Sequence, residues 1–177
     1  MGTGLTQVYT GEGKGKTSAA VGLALRALSR GRTVAFLQFF KPLRGGELDL
    51  LKEHRPASLV LRFPGGHPAF QRGRPARRNG NRSILFRKDL ARAARLIKSG
   101  RYDIVILDEI LIALRDGLLD EAELINLVSS RPGSVELVLT GRGATPAICR
   151  AADLVTEMRS IKHPFDSGQA PRKGIEY

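Results

Sequence analysis

The stretch "LTQVYTGEGKGKTSAAVG" (Leu5–Gly22) decides how the rest of this 177-residue chain is read. Residues 5–10 form a short run of strand type. Residues 16–30 form an Ala- and Leu-rich helical pattern that Gly31 stops. Between them, Gly15, Lys16 and Thr17 match the end of the phosphate-loop signature G-x-x-x-x-G-K-[ST]. The chemistry needs these residue types: consecutive backbone N–H groups and a helix N-terminus surround an anion, and glycines let the backbone approach it. Lys16 is expected to reach the phosphates and Thr17 to offer its hydroxyl to a divalent cation. The signature's first glycine is replaced by Thr10, with Gly11 one place late.

Working outward, the same alternation recurs. Residues 33–40 and, more weakly, 58–63 read as strands. Residues 102–110, "YDIVILDEI", have the near-continuous apolar character of a strand buried on both faces of a parallel sheet. Residues 135–141 are a further buried strand and 154–161 a last one. A helix is expected after Asp89, with Leu90, Ala94 and Ile97 on one face. A second opens at Asp120 and Glu123, the ends of an acidic capping box, and Thr145–Pro146 begins a third. Strands separated by helices predict an α/β fold: a single P-loop NTPase (RecA-like) domain spanning 1–177, its mostly parallel sheet flanked by helices.

Composition narrows the class. The chain carries a net charge of +12, and from His54 to Lys88 there are eight arginines and one lysine but no acid. That imbalance predicts anionic partners. Residues 64–82 hold three prolines, four glycines and five arginines and read as a basic, mobile loop. No apolar run approaches the roughly 20 residues of a membrane helix, and the first residues carry no targeting pattern, so a cytoplasmic protein with no membrane partner is expected. The single cysteine, Cys149, excludes an intrachain disulfide and is expected in the core. His54 and His67 read as solvent-facing.

A phosphate loop needs acids at the carboxyl end of a neighbouring strand. Asp108 and Glu109 supply them: one suits the cation or its water, the other orients the nucleophile or substrate. Arg142 follows another strand, where it either neutralises phosphate charge or pairs with Asp108 or Glu109.

Taken together, "YTGEGKGKTSAAVGLALRAL", "LQFFK" with "GGE", "YDIVILDEI", "VLTGR", "ADLVTEM" and "IKHPFDSGQAPRKGIEY" resemble the ATP:corrinoid adenosyltransferases of cobalamin biosynthesis, in blocks from Val8 to Tyr177 that lapse through residues 48–100. That family's loop also reads T-G-x-G-K-G-K-T, so the late glycine is a family trait. The resemblance implies transfer of the 5′-deoxyadenosyl group of ATP to the Co(I) of a reduced corrinoid, with tripolyphosphate released. The loop, Thr10, Gly11, Glu12, Gly13, Lys14, Gly15, Lys16, Thr17 and Ser18, would bind ATP. Lys16, Thr17, Glu109 and Arg142 would serve catalysis, and Thr17, Asp108 and Glu109 would hold Mg²⁺ or Mn²⁺. Lys41, Glu47, Phe70, Lys162, His163 and Glu176 are implied candidates for the corrinoid or dimer site. A homodimer and a flavoprotein reductant are the implied partners.

One departure stands out. The family's tryptophan-bearing segment has no counterpart, for the chain contains no tryptophan, and Phe63 and Phe70 are the aromatics of that region. Arg77 and Arg78 are candidates to meet corrinoid carboxylates or the triphosphate. Two other enzyme classes share the loop and the acids. A RecA-like ATPase would bind nucleic acid through the arginine-rich segment, although stacking aromatics are sparse. A small-molecule kinase would yield ADP, and a non-catalytic nucleotide-binding regulator would turn nothing over.

Overall fold

The computed structural model describes residues 3–41, 46–63 and 80–175. Its centre is a six-stranded sheet: β1 (Thr6–Thr10), β2 (Val34–Phe39), β3 (Ser58–Phe63), β4 (Ile104–Asp108), β5 (Glu136–Thr140) and β6 (Leu154–Glu157). Their order across the sheet is β3-β2-β4-β5-β1-β6, and every pairing is parallel.

Because side chains alternate between the faces of a strand, each central strand feeds two cores. Val34, Phe36, Ile104, Ile106 and Val138 face α1 (Lys16–Leu28) and α2 (Glu47–Glu53), where Ala20, Ala24, Leu48 and Leu51 meet them. Ala35, Leu37, Phe39, Val105, Leu107 and Leu139 face the other layer. That layer holds α3 (Gly80–Lys98), α4 (Ile110–Arg115), α5 (Glu121–Ser129) and α6 (Pro146–Ala151). The small side chains of α1 bring its backbone close to the sheet, which fixes the helix N-terminus that the loop leads into. Among the described residues, no helix is long and apolar enough to cross a membrane.

Several expectations need correction. α3 begins at Gly80, nine residues before Asp89, because Phe86, Leu90, Ala93 and Ile97 form a buried stripe at helical spacing. Ala93 rather than Ala94 holds the fully buried place. Residues 80–82, expected in the loop, belong to α3, and residues 64–79, with His67, Phe70, Arg77 and Arg78, lie outside the described residues. The strand expected over 102–110 ends at Asp108 and turns directly into α4. Asp120 stands at the N-cap of α5 without a side-chain capping bond, and Glu123 pairs with Arg87 of α3 instead. The strand expected over 154–161 stops at Glu157, with all four of its residues exposed along the sheet edge. Cys149 is half-buried rather than a core residue. The Thr145 cap of α6 forms as expected, its hydroxyl accepting from the Ile148 amide at 3.3 Å. Phe63 is a core residue, its ring centroid 4.9 Å from that of Phe39.

Candidate functional site

The loop leaves β1 at Thr10 and is held from behind by the chain that follows β6. The Met158 amide donates to the Thr10 carbonyl (2.8 Å), and the Gly13 amide donates to the Met158 carbonyl (2.6 Å). These bonds carry the β1–β6 pairing past the strand ends. The wall leaves no room for side chains. A Cβ on Gly11 would lie 2.4 Å from the Met158 carbonyl oxygen, and one on Gly13 would lie 2.7 Å from that of Arg159. A Cβ on Gly15 would meet the Met158 sulfur at 3.3 Å. Gly11 and Gly15 also adopt left-handed backbone conformations (φ 97° and 117°) that glycine alone takes without strain. The glycine shifted to position 11 is thus required by its backbone conformation and by Met158. The period-two spacing of Gly11, Gly13 and Gly15 is the signal in the sequence: one side of the loop is pressed flat against a neighbour.

The Gly13 amide is committed to Met158, whereas the amides that follow lie at the start of α1, where the first turn has no intrahelical acceptor. Lys16 lies within the arc of the loop. Its Nζ donates to the carbonyls of Gly11 (2.6 Å) and Gly13 (2.7 Å), and the residue is 7% exposed. Burial pushes its pKa below the ordinary lysine value; Glu109 opposes the shift, and Arg142 and Lys41 add to it. Glu12 and Lys14 are exposed and turn outward. Glu12 pairs with Arg142 at 2.8 Å, and Lys14 Nζ donates to the Ile175 carbonyl at 2.9 Å, tying the loop to the C-terminal tail. Arg142 thus meets Glu12, not Asp108 or Glu109 as one sequence alternative had it. Ser18 is exposed in the first turn of α1.

Asp108 ends β4, which is separated from β1 by β5. The acid strand is therefore one removed from the loop strand rather than adjacent, and β5 supplies a bridge. Thr140, at its end, donates from Oγ1 to Asp108 Oδ1 (2.6 Å) and accepts from the Glu109 amide (2.9 Å). Gln38 of β2 donates to Asp108 Oδ2 (2.9 Å), and Thr17 donates to Oδ1 (3.0 Å). Asp108 is fully buried. Removing a carboxylate from water costs several kcal/mol unless donors and a counter-charge replace the lost solvation, and these groups supply that replacement.

The counter-charge is Lys41. Its Nζ lies 2.5 Å from Thr17 Oγ1, 3.4 Å from Asp108 Oδ2 and 3.4 Å from Glu109 Oε1. Burial alone would lower its pKa, but Asp108 and Glu109 outweigh that and hold its ammonium above the ordinary lysine range. Two residues bordering this cluster have left-handed backbones although neither is glycine: Phe40 (φ 59°) and Glu109 (φ 66°). Such conformations cost on the order of 1–3 kcal/mol and persist where the surrounding structure imposes them. Here they turn Lys41 and Glu109 toward each other at the ends of β2 and β4.

Gln38 and Thr140 were not found by sequence reasoning, since only strand order brings them to Asp108. Lys41, assigned by resemblance to the corrinoid or dimer site, stands against Thr17, Asp108 and Glu109. Glu47 is exposed in the first turn of α2. Lys162 is exposed and His163 half-buried just beyond β6. Phe70 and Glu176 lie outside the described residues.

The donor set suits a small divalent cation held together with a nucleotide. Among the described residues no three His, Cys, Asp or Glu side chains cluster to cage a metal. Mg²⁺ typically takes one or two protein carboxylates and completes its shell with phosphate oxygens and water. Thr17, Asp108 and Glu109 offer that partial set of hard oxygens.

The chain is similar to known proteins over nearly its whole length. Residues 2–177 match the family described as ATP:corrinoid adenosyltransferase BtuR/CobO/CobP. A corrinoid adenosyltransferase of a Sinorhizobium species is 37% identical over 176 residues, covering 98% of this chain and 80% of the relative. Corrinoid adenosyltransferases of Salmonella typhimurium (34% identical) and Escherichia coli K12 (33% identical) each align over 175 residues, covering 98% of this chain and 86% of the relative.

Proposed function

The chain belongs to the ATP:corrinoid adenosyltransferase family and is an enzyme of that class acting in cobalamin metabolism, and from this premise we propose how its residues divide the work. One observation carries the reading: the Thr17 hydroxyl, at the start of the loop's helix, donates to the buried Asp108 carboxylate at 3.0 Å. Loop and acids thereby form one continuous polar site. ATP lays its triphosphate along the loop, against the amides at the start of α1 and the Lys16 ammonium. A Mg²⁺ or Mn²⁺ ion held by Thr17, Asp108 and Glu109 would supply positive charge to the triphosphate.

The reduced corrinoid is the second substrate. Its Co(I) donates an electron pair to the ribose 5′ carbon, forming a cobalt–carbon bond. The carbon–oxygen bond breaks, and its electron pair leaves on tripolyphosphate. Lys16 stabilises the charge that grows on this leaving group, and preorganised charge of this kind acts strongly in a site shielded from water. The protein contributes placement and electrostatics while the cobalt does the bond-making. Arg142, 48% exposed and paired with Glu12, contributes weaker long-range charge. The whole chain would act as one catalytic domain. A homodimer, a cytoplasmic location and a flavoprotein reductant complete the proposal and rest on family membership.

Incubation with Mg-ATP and chemically reduced cobalamin or cobinamide tests it. The expected products are the adenosylated corrinoid, seen by its spectrum, and tripolyphosphate. ADP, or no cobalt–carbon product with either corrinoid, would overturn it.

A further inference from the structure

We propose that Lys41 is a built-in counter-cation that holds the metal seat closed until nucleotide arrives, so that the divalent ion enters only together with ATP. The inference rests on the reading of Thr17, Asp108 and Glu109 as the metal ligands. Three distances carry it. Lys41 Nζ stands 2.5 Å from Thr17 Oγ1, 3.4 Å from Asp108 Oδ2 and 3.4 Å from Glu109 Oε1. One ammonium therefore touches all three oxygen donors that a cation would use.

The placement is built rather than incidental. Lys41 is a strand-end residue with a 30% exposed side chain, and the chain turns it inward at Phe40, whose backbone is left-handed (φ 59°). Phe40 is itself locked: its side chain is buried and its ring stacks on Phe86 with centroids 5.7 Å apart. Its amide donates to the Phe63 carbonyl (3.1 Å), and the Lys41 amide donates to the Phe39 carbonyl (2.8 Å). A residue with a strained backbone directly before a buried ion pair is what aiming that lysine requires.

Charge explains what the arrangement does. With Lys41 in place, Asp108 and Glu109 present a single net negative charge to an approaching ion, and an ammonium stands where the ion must sit. A bare divalent cation has to displace it, and the exchange returns little because one counter-ion replaces another. A cation arriving on a triphosphate brings phosphate ligands of its own and gives the displaced ammonium new anionic oxygens to pair with. The metal is thereby admitted as its nucleotide complex.

The test is Mn²⁺ binding to the intact, nucleotide-free protein, measured as loss of the aqueous Mn²⁺ signal in electron paramagnetic resonance. Wild type should bind Mn²⁺ weakly alone but should retain Mn²⁺ together with ATP in ultrafiltration, above a protein-free Mn-ATP control. Lys41→Met keeps the stem and removes the charge, and should bind Mn²⁺ alone roughly tenfold or more tightly than wild type. Adding Asp108→Asn to Lys41→Met should erase the gain. Lys41→Gln serves as the second variant should Lys41→Met fold poorly by circular dichroism, and should move affinity in the same direction. Affinity for Mn²⁺ alone that is unchanged or weaker in the folded variant, or a gain that survives Asp108→Asn, would overturn the proposal. If wild type with ATP retains no Mn²⁺ above that control, the assignment of the metal ligands fails instead, a separate and distinguishable result.

Discussion

The phosphate loop and the acid pair lie one strand apart, yet they are held by different means. On the β1 side, backbone grips backbone: Gly11 and Gly13 press against the carbonyls of Met158 and Arg159, and the Gly13 amide is spent on that wall. On the β4 side, side chains grip side chains: Thr140, Gln38, Thr17 and Lys41 converge on a single buried carboxylate. The first half should be broken by bulk and be nearly indifferent to charge at its glycines. The second should be broken by loss of a donor or a charge, even where volume is kept. Lys16 is where the halves meet, anchored on the loop carbonyls while sensing Glu109.

The largest effect is therefore expected at Lys16. Lys16→Ala removes the one buried ammonium within the loop, and turnover should fall by about a hundred- to a thousandfold, since deleting one preorganised donor to developing charge costs on the order of 10²–10³. Circular dichroism of Lys16→Ala should be unchanged. Activity within tenfold of wild type would show that the loop is not where the leaving group is held.

Gly13→Ala tests the backbone half by bulk alone. The added methyl would lie 2.7 Å from the Arg159 carbonyl oxygen, so loop or wall must move, and displacements of about 1 Å near the reacting atoms cost on the order of 100-fold. The loss should appear in kcat/KM for ATP. Gly22→Ala is the matched control: nothing lies within 4 Å of its Cβ, and replacing an interior helical glycine should raise stability by about 0.5–1 kcal/mol with activity intact. Equal damage from both substitutions would remove the claim that the wall, rather than glycine content, shapes the loop.

The same division explains what could be read in the sequence. Lys16, Thr17, Asp108 and Glu109 were legible because each belongs to a local pattern, a loop before a helix or acids ending an apolar strand. Strand alternation likewise gave the α/β class. Gln38 and Thr140 were not legible, since neither residue type is informative alone and only the order β2-β4-β5 brings them to Asp108. Lys41 was singled out only by resemblance, for the corrinoid or dimer site; its approach to Asp108 was not legible, because a left-handed turn at Phe40 has no signature outside glycine. α3 was read late because "GNRS" has turn composition, and the stripe from Phe86 to Ile97 overrides it through burial against the sheet. For Arg142 the sequence offered phosphate, Asp108 or Glu109; its partner Glu12 was missed, because only the fold brings the tip of the loop beside the end of β5.

The donor half is tested with volume held constant. Thr140→Val keeps shape but withdraws a 2.6 Å donor from a fully buried carboxylate and an acceptor from the Glu109 amide. Leaving buried polar groups without partners costs about 1–3 kcal/mol, so urea unfolding should show a loss of that size. Activity should fall by roughly tenfold as Glu109 loses its anchor, in keeping with that range. A stability change below about 0.5 kcal/mol, the usual scatter of surface substitutions, would mean that Gln38, Thr17 and Lys41 satisfy Asp108 without help from β5.

The smallest effect belongs at Arg142, and it is the one that separates the two kinds of grip most finely. Its ion pair with Glu12 joins the tip of the loop to the end of β5, so it could act as a third clasp on the loop or simply as charge near the triphosphate. Both side chains are largely in water, 48% and 68% exposed, and such pairs contribute about 0–1 kcal/mol. If the pair is a clasp, Glu12→Gln and Arg142→Ala should weaken ATP use to a similar degree, because either one opens it. If Arg142 acts as charge, the two should part: Arg142→Ala should raise KM for ATP several-fold, while Glu12→Gln should leave it unchanged or lower it by freeing the guanidinium. The Met158 wall already fixes the loop without the pair, which favours the second pattern. Parallel losses in both variants, insensitive to added salt, would instead make the exposed pair a third hold on the loop, beside Met158 and the tail.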